Sequence, residues 1–149
     1  MKLGYGTYAM PTVDIFEALP RLHDMGYEAI EINIGEEWPT APHKLNASDR
    51  DRIVRTLQDL NYPPPVTMCL LPICTQGDER DAVLQKFNDA CVLTNDLNFG
   101  DTPTPIVSTP GGINGDWEER KNQLRDSLLF IADQAAQHNV IFAIEPHAG

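Results

Sequence analysis

A carboxylate stands at the end of the last apolar segment of the sequence. Glu145 directly follows the aliphatic and aromatic run 141–144, and His147 lies two residues further on. A carboxylate at the end of an apolar strand is costly to bury unless a metal, a cation or hydrogen-bond donors accompany it. Glu145 and His147 could together serve a metal, or His147 could bind a substrate. Position alone equally allows Glu145 to enter solvent and His147 to be an unengaged loop residue.

A second strand-like segment carries two more candidates on one face. Residues 28–34 alternate, with Ala29, Glu31 and Asn33 on one side and three isoleucines on the other. In an open sheet this polar face would meet solvent, whereas in a closed barrel it would point into the interior. Asn33 would then lie near the barrel mouth, which makes it a candidate substrate-binding residue. For Glu31 we favour a structural role in a buried hydrogen-bonded pair.

Other reactive residue types match no specific motif. Segment 108–112, Ser-Thr-Pro-Gly-Gly, could hold an anion with its backbone N–H groups, but it is not a P-loop and a tight turn is the preferred explanation. Cys69, Cys74 and Cys91 show neither a C-x-x-C spacing nor a histidine partner, so we expect packed, reduced thiols. His43 follows a strand in a loop, where a surface position is expected.

Composition narrows the class of protein. The 149 residues are 42% hydrophobic and 22% charged, which is typical of a globular domain able to bury a core. The formal net charge of −11 leaves no basic cluster for phosphates, so nucleic acid is not an expected partner. We see no apolar run long enough to span a bilayer and no signal peptide. The expected location is therefore the cytoplasm, without a membrane partner.

Strand-like and helix-like segments alternate along the whole sequence. Hydrophobic periodicity and turn residues predict the order β-α-β-α-β-α-β-α-β. The predicted strands are 2–8, 28–34, 66–71, 105–109 and 140–145, and the predicted helices start near residues 13, 48, 79 and 117. Gly26, Asn61 and Asn139 are predicted helix stops, Ser48 with Asp51 resembles a capping box, and Pro20 predicts a kink or a shifted helix start.

This alternation fits two parallel-sheet architectures. Five strands make a complete flavodoxin-like, doubly wound sheet, whereas a TIM barrel needs eight strands and about 250 residues. In either case functional residues belong at the carboxyl-terminal ends of the strands. Spacing alone does not choose between them.

Two stretches of sequence together resemble a known family. The helix end Leu-His-Asp-Met-Gly-Tyr at 22–27, followed by Glu-Ala-Ile-Glu-Ile at 28–32, is similar to the first βαβ unit of xylose-isomerase-like sugar phosphate isomerases and epimerases. The segment 135–147, ending in Glu-Pro-His, resembles the fifth strand of that family. The resemblance covers essentially the whole chain and depends on the order and spacing of these motifs.

The resemblance implies an α/β fold of the TIM (β/α)8-barrel type. Residues 1–149 would be a single domain, the N-terminal portion of such a barrel, with about four βα units and a fifth strand. In this family a divalent metal, Mn2+, Mg2+ or Co2+, is held by side chains from strands five to eight. Glu145 matches the first ligand and, in the epimerases, one of two acid/base groups. The other ligands would lie on strands that this sequence lacks, so we expect the isolated chain to be incomplete and leave its own metal binding open.

The expected function of the parent enzyme is metal-dependent isomerisation or epimerisation of a sugar or sugar phosphate. An endonuclease branch of the family is disfavoured, because the ends of strands three and four lack histidine. The alternative is a non-catalytic, five-stranded binding or scaffold module. Strands one and five of an incomplete barrel would be open edges, which suggests a homodimer formed through them.

Overall fold

Five strands and four α-helices alternate in the part of the chain that the structure, a computed structural model, describes, residues 2–109 and 115–145. The elements are β1 (Gly4–Gly6), α1 (Ile15–Asp24), β2 (Ala29–Asn33), α2 (Ala47–Asp59), β3 (Val66–Met68), α3 (Arg80–Leu97), β4 (Pro105–Ser108), α4 (Trp117–Gln137) and β5 (Ile141–Ile144). The predicted alternation is confirmed, although every strand is shorter than the sequence pattern suggested.

The order of the strands decides between the two architectures. All neighbouring strands are parallel, and they lie in the sequence order β1-β2-β3-β4-β5. A flavodoxin-like sheet would instead place β1 between β2 and β3. Because βαβ crossovers are right-handed, strands added in sequence order put every helix on the same side of the sheet, as in a barrel. The fold is therefore α/β of the TIM-barrel type, and the doubly wound alternative is wrong.

Three helices end where left-handed backbone was expected. Gly26, Asn61 and Asn139 have φ values of 89°, 58° and 54°. In each case the next residue donates its N–H to a carbonyl five positions earlier, as Tyr62 does to Leu57 at 2.9 Å. This arrangement ends the helix and turns the chain directly into the following strand. The predicted stop signals are confirmed.

The helix starts were predicted less well. The capping box of α2 is formed by Asn46 and Asp49, two residues before the predicted pair that starts at Ser48. The side chain of Asp14 caps α1 by accepting the N–H of Phe16 at 2.8 Å, so this helix starts later than predicted and still contains Pro20. The two-residue difference changes which residues cap α2. Ile53 and Leu57 on its apolar face are buried.

The core lies between the helices and one face of the sheet. Ile30, Ile32 and Ile34 of the β2 segment are 3%, 0% and 1% exposed, and they pack in one cluster with the apolar faces of the helices. We call the opposite face of the sheet, which carries Glu31 and Asn33, the inner face. The alternation in β2 thus separates an aliphatic core from a polar site, as the sequence predicted for a barrel.

None of the helices among the described residues is long and apolar enough to cross a membrane. The longest of them, α4, carries charged side chains along its length.

Candidate functional site

The carboxyl-terminal ends of the parallel strands gather the candidate residues at one edge of the sheet. Glu145 follows β5, Ser108 ends β4, and Asn33 ends β2. In barrels of this type the loops at this edge build the active site. Residues that are far apart in the sequence thus lie at one edge of the sheet.

Ser108 ties the ends of three strands together and positions Glu145. Its hydroxyl oxygen accepts the backbone N–H of Leu71 at 3.0 Å, and its carbonyl accepts the backbone N–H of Glu145 at 2.8 Å. Ser108 is 0% exposed, whereas the Glu145 side chain is exposed. The backbone of Glu145 is thus hydrogen-bonded to a buried residue, while its side chain remains exposed. Sequence reasoning missed this role, because it depends on a strand that is distant in sequence.

Asn33 is buried, and its polar groups contact the loop that follows β2, the turn after β1 and strand β3. The side-chain oxygen accepts the N–H of Gly35 at 2.8 Å, and the amide nitrogen contacts the sulfur of Met68 at 3.5 Å. Its backbone N–H donates to the hydroxyl of Thr7 at 2.8 Å, and its carbonyl accepts the hydroxyl of Thr40. These bonds shape the mouth of the site. Substrate binding by Asn33 stays a prediction.

An aromatic pair covers the same edge beside β1 and β2. The indole N–H of Trp38 donates to the carbonyl of Thr7 at 3.1 Å, and its ring lies 5.3 Å from that of Tyr8, centroid to centroid. Tyr8 remains half exposed. In the sequence Tyr8 ends the first predicted strand and Trp38 lies in the loop after the second, and no local signal indicated that they would meet.

Glu31 occupies the inner face without a polar neighbour on the adjacent strands. Its register partners are Gly6 of β1 and Val66 of β3, neither of which has a polar side chain. No hydrogen bond or ion pair engages its carboxylate within residues 2–109 and 115–145. Burial raises the pKa of the Glu31 carboxyl above its usual range, and the charge of Glu145 raises it further. Within the described residues Glu31 therefore forms no hydrogen-bonded pair, and Asn33 carries the structural bonds there.

The described residues do not by themselves form a complete metal site. No group of three or more histidine, cysteine, aspartate or glutamate side chains comes together in the part of the chain that the structure covers. The Glu145 carboxylate has the hard oxygen donors that Mn2+ or Mg2+ prefers, but such ions take about six ligands. His147 and positions 110–112 of the glycine-containing segment lie outside the described residues.

The remaining candidates lie elsewhere in the fold. His43 is exposed in a short 3-10 turn and lines a cleft with Lys86 and Asp89 of α3. Cys69, Cys74 and Cys91 are free, buried and part of the hydrophobic core, so the prediction that they are packing residues is confirmed.

Comparison with known proteins identifies the fold family. The family profile described as xylose isomerase-like TIM barrel matches residues 19–149, which is most of the chain. The chain belongs to the xylose isomerase-like TIM barrel family. The resemblance inferred from the βαβ unit at 22–32 and from the Glu-Pro-His ending is thereby confirmed. No curated protein matches the sequence of this family member closely enough to count as a relative.

Solved structures share the family fold at low sequence identity. The probable 3-DHS dehydratase AsbF from Bacillus anthracis, involved in petrobactin synthesis, has a TM-score of 0.77 and 16% identity; the match covers 100% of this chain and 53% of AsbF. A D-tagatose 3-epimerase-like protein has a TM-score of 0.69 and 16% identity, with 100% and 54% covered. An L-ribulose 3-epimerase has a TM-score of 0.67 and 17% identity, with 96% and 48% covered. The chain thus spans about half the length of these structures.

Proposed function

We propose that the protein that contains this chain is a metal-dependent isomerase or epimerase acting on a sugar or sugar phosphate. Family membership supports an enzyme of this type, and two of the similar structures are a D-tagatose 3-epimerase-like protein and an L-ribulose 3-epimerase. At such low sequence identity these similarities show only a common fold. Support for the chemistry comes from the residues of the site.

The position of Glu145 is the observation that carries the proposal. Its backbone is anchored to buried Ser108, so its exposed carboxylate is held at the edge of the sheet where barrels of this type bind substrates. A carboxylate placed in this way can take a proton from a carbon next to a carbonyl. In an isomerisation it can return the proton to the neighbouring carbon, whereas in an epimerisation a second acid/base group, from outside the described residues, would deliver a proton to the opposite face. Isomerisation and epimerisation both need the first of these transfers.

A divalent metal, Mn2+, Mg2+ or Co2+, is the proposed cofactor. Glu145 would be one ligand, and the others would come from outside the described residues. A bound metal of this kind polarises a carbonyl or hydroxyl oxygen of the substrate. His147 and Asn33 stay proposed substrate-binding residues.

An assay on the protein in the full length that its gene encodes tests this function. We expect interconversion of ketoses that stops with EDTA and returns with Mn2+. Glu145→Gln should lower kcat by at least about 100-fold, because general acid–base groups contribute roughly that much. Glu28→Gln is the matched control, since exposed Glu28 lies at the opposite, amino-terminal end of β2. No turnover of any sugar would instead support the non-catalytic module, and turnover of 3-DHS alone would replace the epimerase proposal with a dehydratase.

The cytoplasm is the proposed location of the protein. The three free thiols suit a reducing compartment, which supports this location.

The sheet ends at β1 on one side and β5 on the other within the described residues, and such edges can pair with another chain. A homodimer formed through these edges is the proposed assembly of the isolated chain.

A further inference from the structure

Glu31 lies on the inner face in space that Gly6 leaves open. A Cβ atom on Gly6 would come within 2.8 Å of the Oε1 atom of Glu31, and the other atoms nearest to that position also belong to Glu31. The carboxylate therefore leans over the backbone of β1 rather than extending straight out from β2. Any larger residue at position 6 would displace it.

Nothing in the described sheet satisfies this carboxylate. The register partners of Glu31 are a glycine and a valine, and none of the described strands β1 to β5 contains a lysine, an arginine or a histidine. A half-buried charge without donors costs free energy, and proteins retain such groups mainly where they bind something. The donors that Glu31 lacks in this part of the chain can be supplied by a ligand.

Glu31 and Glu145 lie on the same face of the sheet. Phe142 and Ile144 of β5 pack against the core, so the alternation along this strand places Glu145 on the inner face with Glu31. The charge of Glu145 also contributes to the raised pKa of Glu31. A substrate whose reacting carbon lies at Glu145 would therefore place neighbouring atoms within reach of Glu31. The metal proposed at Glu145 would offset the charge of that carboxylate, so Glu31 supplies the negative charge beside these atoms. The Glu31 carboxylate repels a phosphate group and favours hydroxyl groups, which donate charge-assisted hydrogen bonds to carboxylate oxygens.

We propose that Glu31 binds hydroxyl groups of the substrate next to the reacting carbons, and that this site selects a polyhydroxylated substrate that carries no phosphate at those positions. The inference rests on the proposed isomerase or epimerase function of the same site. Glu31 contributes binding and specificity, whereas proton transfer belongs to Glu145.

Steady-state kinetics of the full-length, Mn2+-loaded protein test this role with a panel of free ketoses and their phosphates. We expect the wild type to prefer a free sugar. Glu31→Gln should raise KM by roughly 10- to 100-fold, since a hydrogen bond to a charged group is lost, with a smaller change in kcat. Glu28→Gln, just before the same strand, should leave both constants unchanged. Mn2+ affinity, measured by titration without substrate, should be the same in all three proteins.

A second variant separates a binding role from general damage. Gly6→Ala should raise KM in the wild-type background by moving the carboxylate, but should have no further effect in Glu31→Gln. An unchanged KM in Glu31→Gln, or a preference for a phosphorylated sugar, would overturn the role of Glu31 while leaving the isomerase function intact. A wild-type protein that turns over no sugar would overturn both proposals together.

Discussion

The Oε1 atom of Glu31 lies 2.8 Å from the position that a Cβ atom on Gly6 would take. Gly6 has extended backbone, with φ −98° and ψ 131°, so its conformation does not require glycine. The space above Gly6 is occupied by the carboxylate end of the Glu31 side chain, which would have to shift to admit a Cβ atom. This relationship between β1 and β2 gives a prediction that concerns stability alone.

Gly6→Ala should have different effects in two backgrounds. In the Glu31→Ala protein the space above Gly6 is free, so the alanine should stabilise the fold by about 0.4–1 kcal/mol through the entropy of the unfolded chain. In the wild type the Glu31 carboxylate has to shift to admit the Cβ atom, which should reduce that gain. Urea unfolding of the four proteins of this cycle measures the difference. Equal effects of Gly6→Ala in both backgrounds would show that Glu31 does not lie over Gly6.

Ser108→Ala should destabilise the protein more than an ordinary surface substitution. The variant leaves the N–H of Leu71 without its acceptor in a buried region, which costs about 1–3 kcal/mol. Exposed Ser48→Ala is the matched control, with an expected change within about 0.5 kcal/mol. Denaturant midpoints measure both. A Ser108→Ala protein as stable as the control would contradict the role of Ser108 in joining the ends of β3, β4 and β5.

Stability should fall at alkaline pH because of the buried thiols. Burial raises the pKa of Cys91 from 9.0 to about 12, and that of Cys69 to about 11. Below pH 9 both thiols are protonated in the folded and the unfolded state, so they add no pH dependence. Between pH 9 and the folded pKa only the unfolded state loses the proton, so each thiol lowers the unfolding free energy by about 1.4 kcal/mol per pH unit.

Urea unfolding between pH 6 and pH 10.5 measures this slope. Cys91→Ala should reduce the slope above pH 9 and leave it unchanged between pH 6 and pH 8, where the thiols do not titrate. Tyr62, whose pKa burial also raises, adds a decline of the same sign above pH 10 in both proteins. Identical slopes above pH 9 would mean that Cys91 is accessible to solvent in the folded state.

The isolated chain should associate with itself. Ile141 starts β5, an edge strand of the described sheet, and its side chain is 51% exposed. Exposed apolar side chains on an unpaired edge favour pairing with another chain, and a lysine there blocks it. Sedimentation should show a dimer for the wild type and a shift toward monomer for Ile141→Lys. Leu129→Lys on α4, where the leucine is 60% exposed, is the control and should stay dimeric. A wild type that sediments as a monomer at all concentrations would contradict this prediction.

Local signals in the sequence predicted the fold better than the site. The alternation in β2 and the stops at Gly26, Asn61 and Asn139 depend on neighbours in sequence, so they could be recognised without a structure. The choice between a barrel and a doubly wound sheet depended on the order of the strands, which no local sequence pattern contains.

The site depended on contacts between distant segments. The hydroxyl of Ser108 matters because Leu71 of another loop donates to it. Glu31 has no donor on the neighbouring strands of the described sheet because its register partners are Gly6 and Val66. Neither fact has a signature in the sequence around the residue. The α2 cap was misplaced for another reason, since Asn-x-x-Asp at 46–49 and Ser-x-x-Asp at 48–51 both resemble a capping box.

Deuterium exchange tests the proposed function most directly. The full-length, Mn2+-loaded protein would be incubated with a panel of free ketoses in D2O, and the carbon-bound hydrogens of the recovered sugars followed by NMR. We expect the wild type to incorporate deuterium next to the carbonyl of its substrate. Glu145→Gln should lose this exchange, whereas Glu28→Gln should keep it. A wild type that exchanges no hydrogen of any sugar, or a Glu145→Gln protein that exchanges as fast as the wild type, would contradict proton transfer by Glu145.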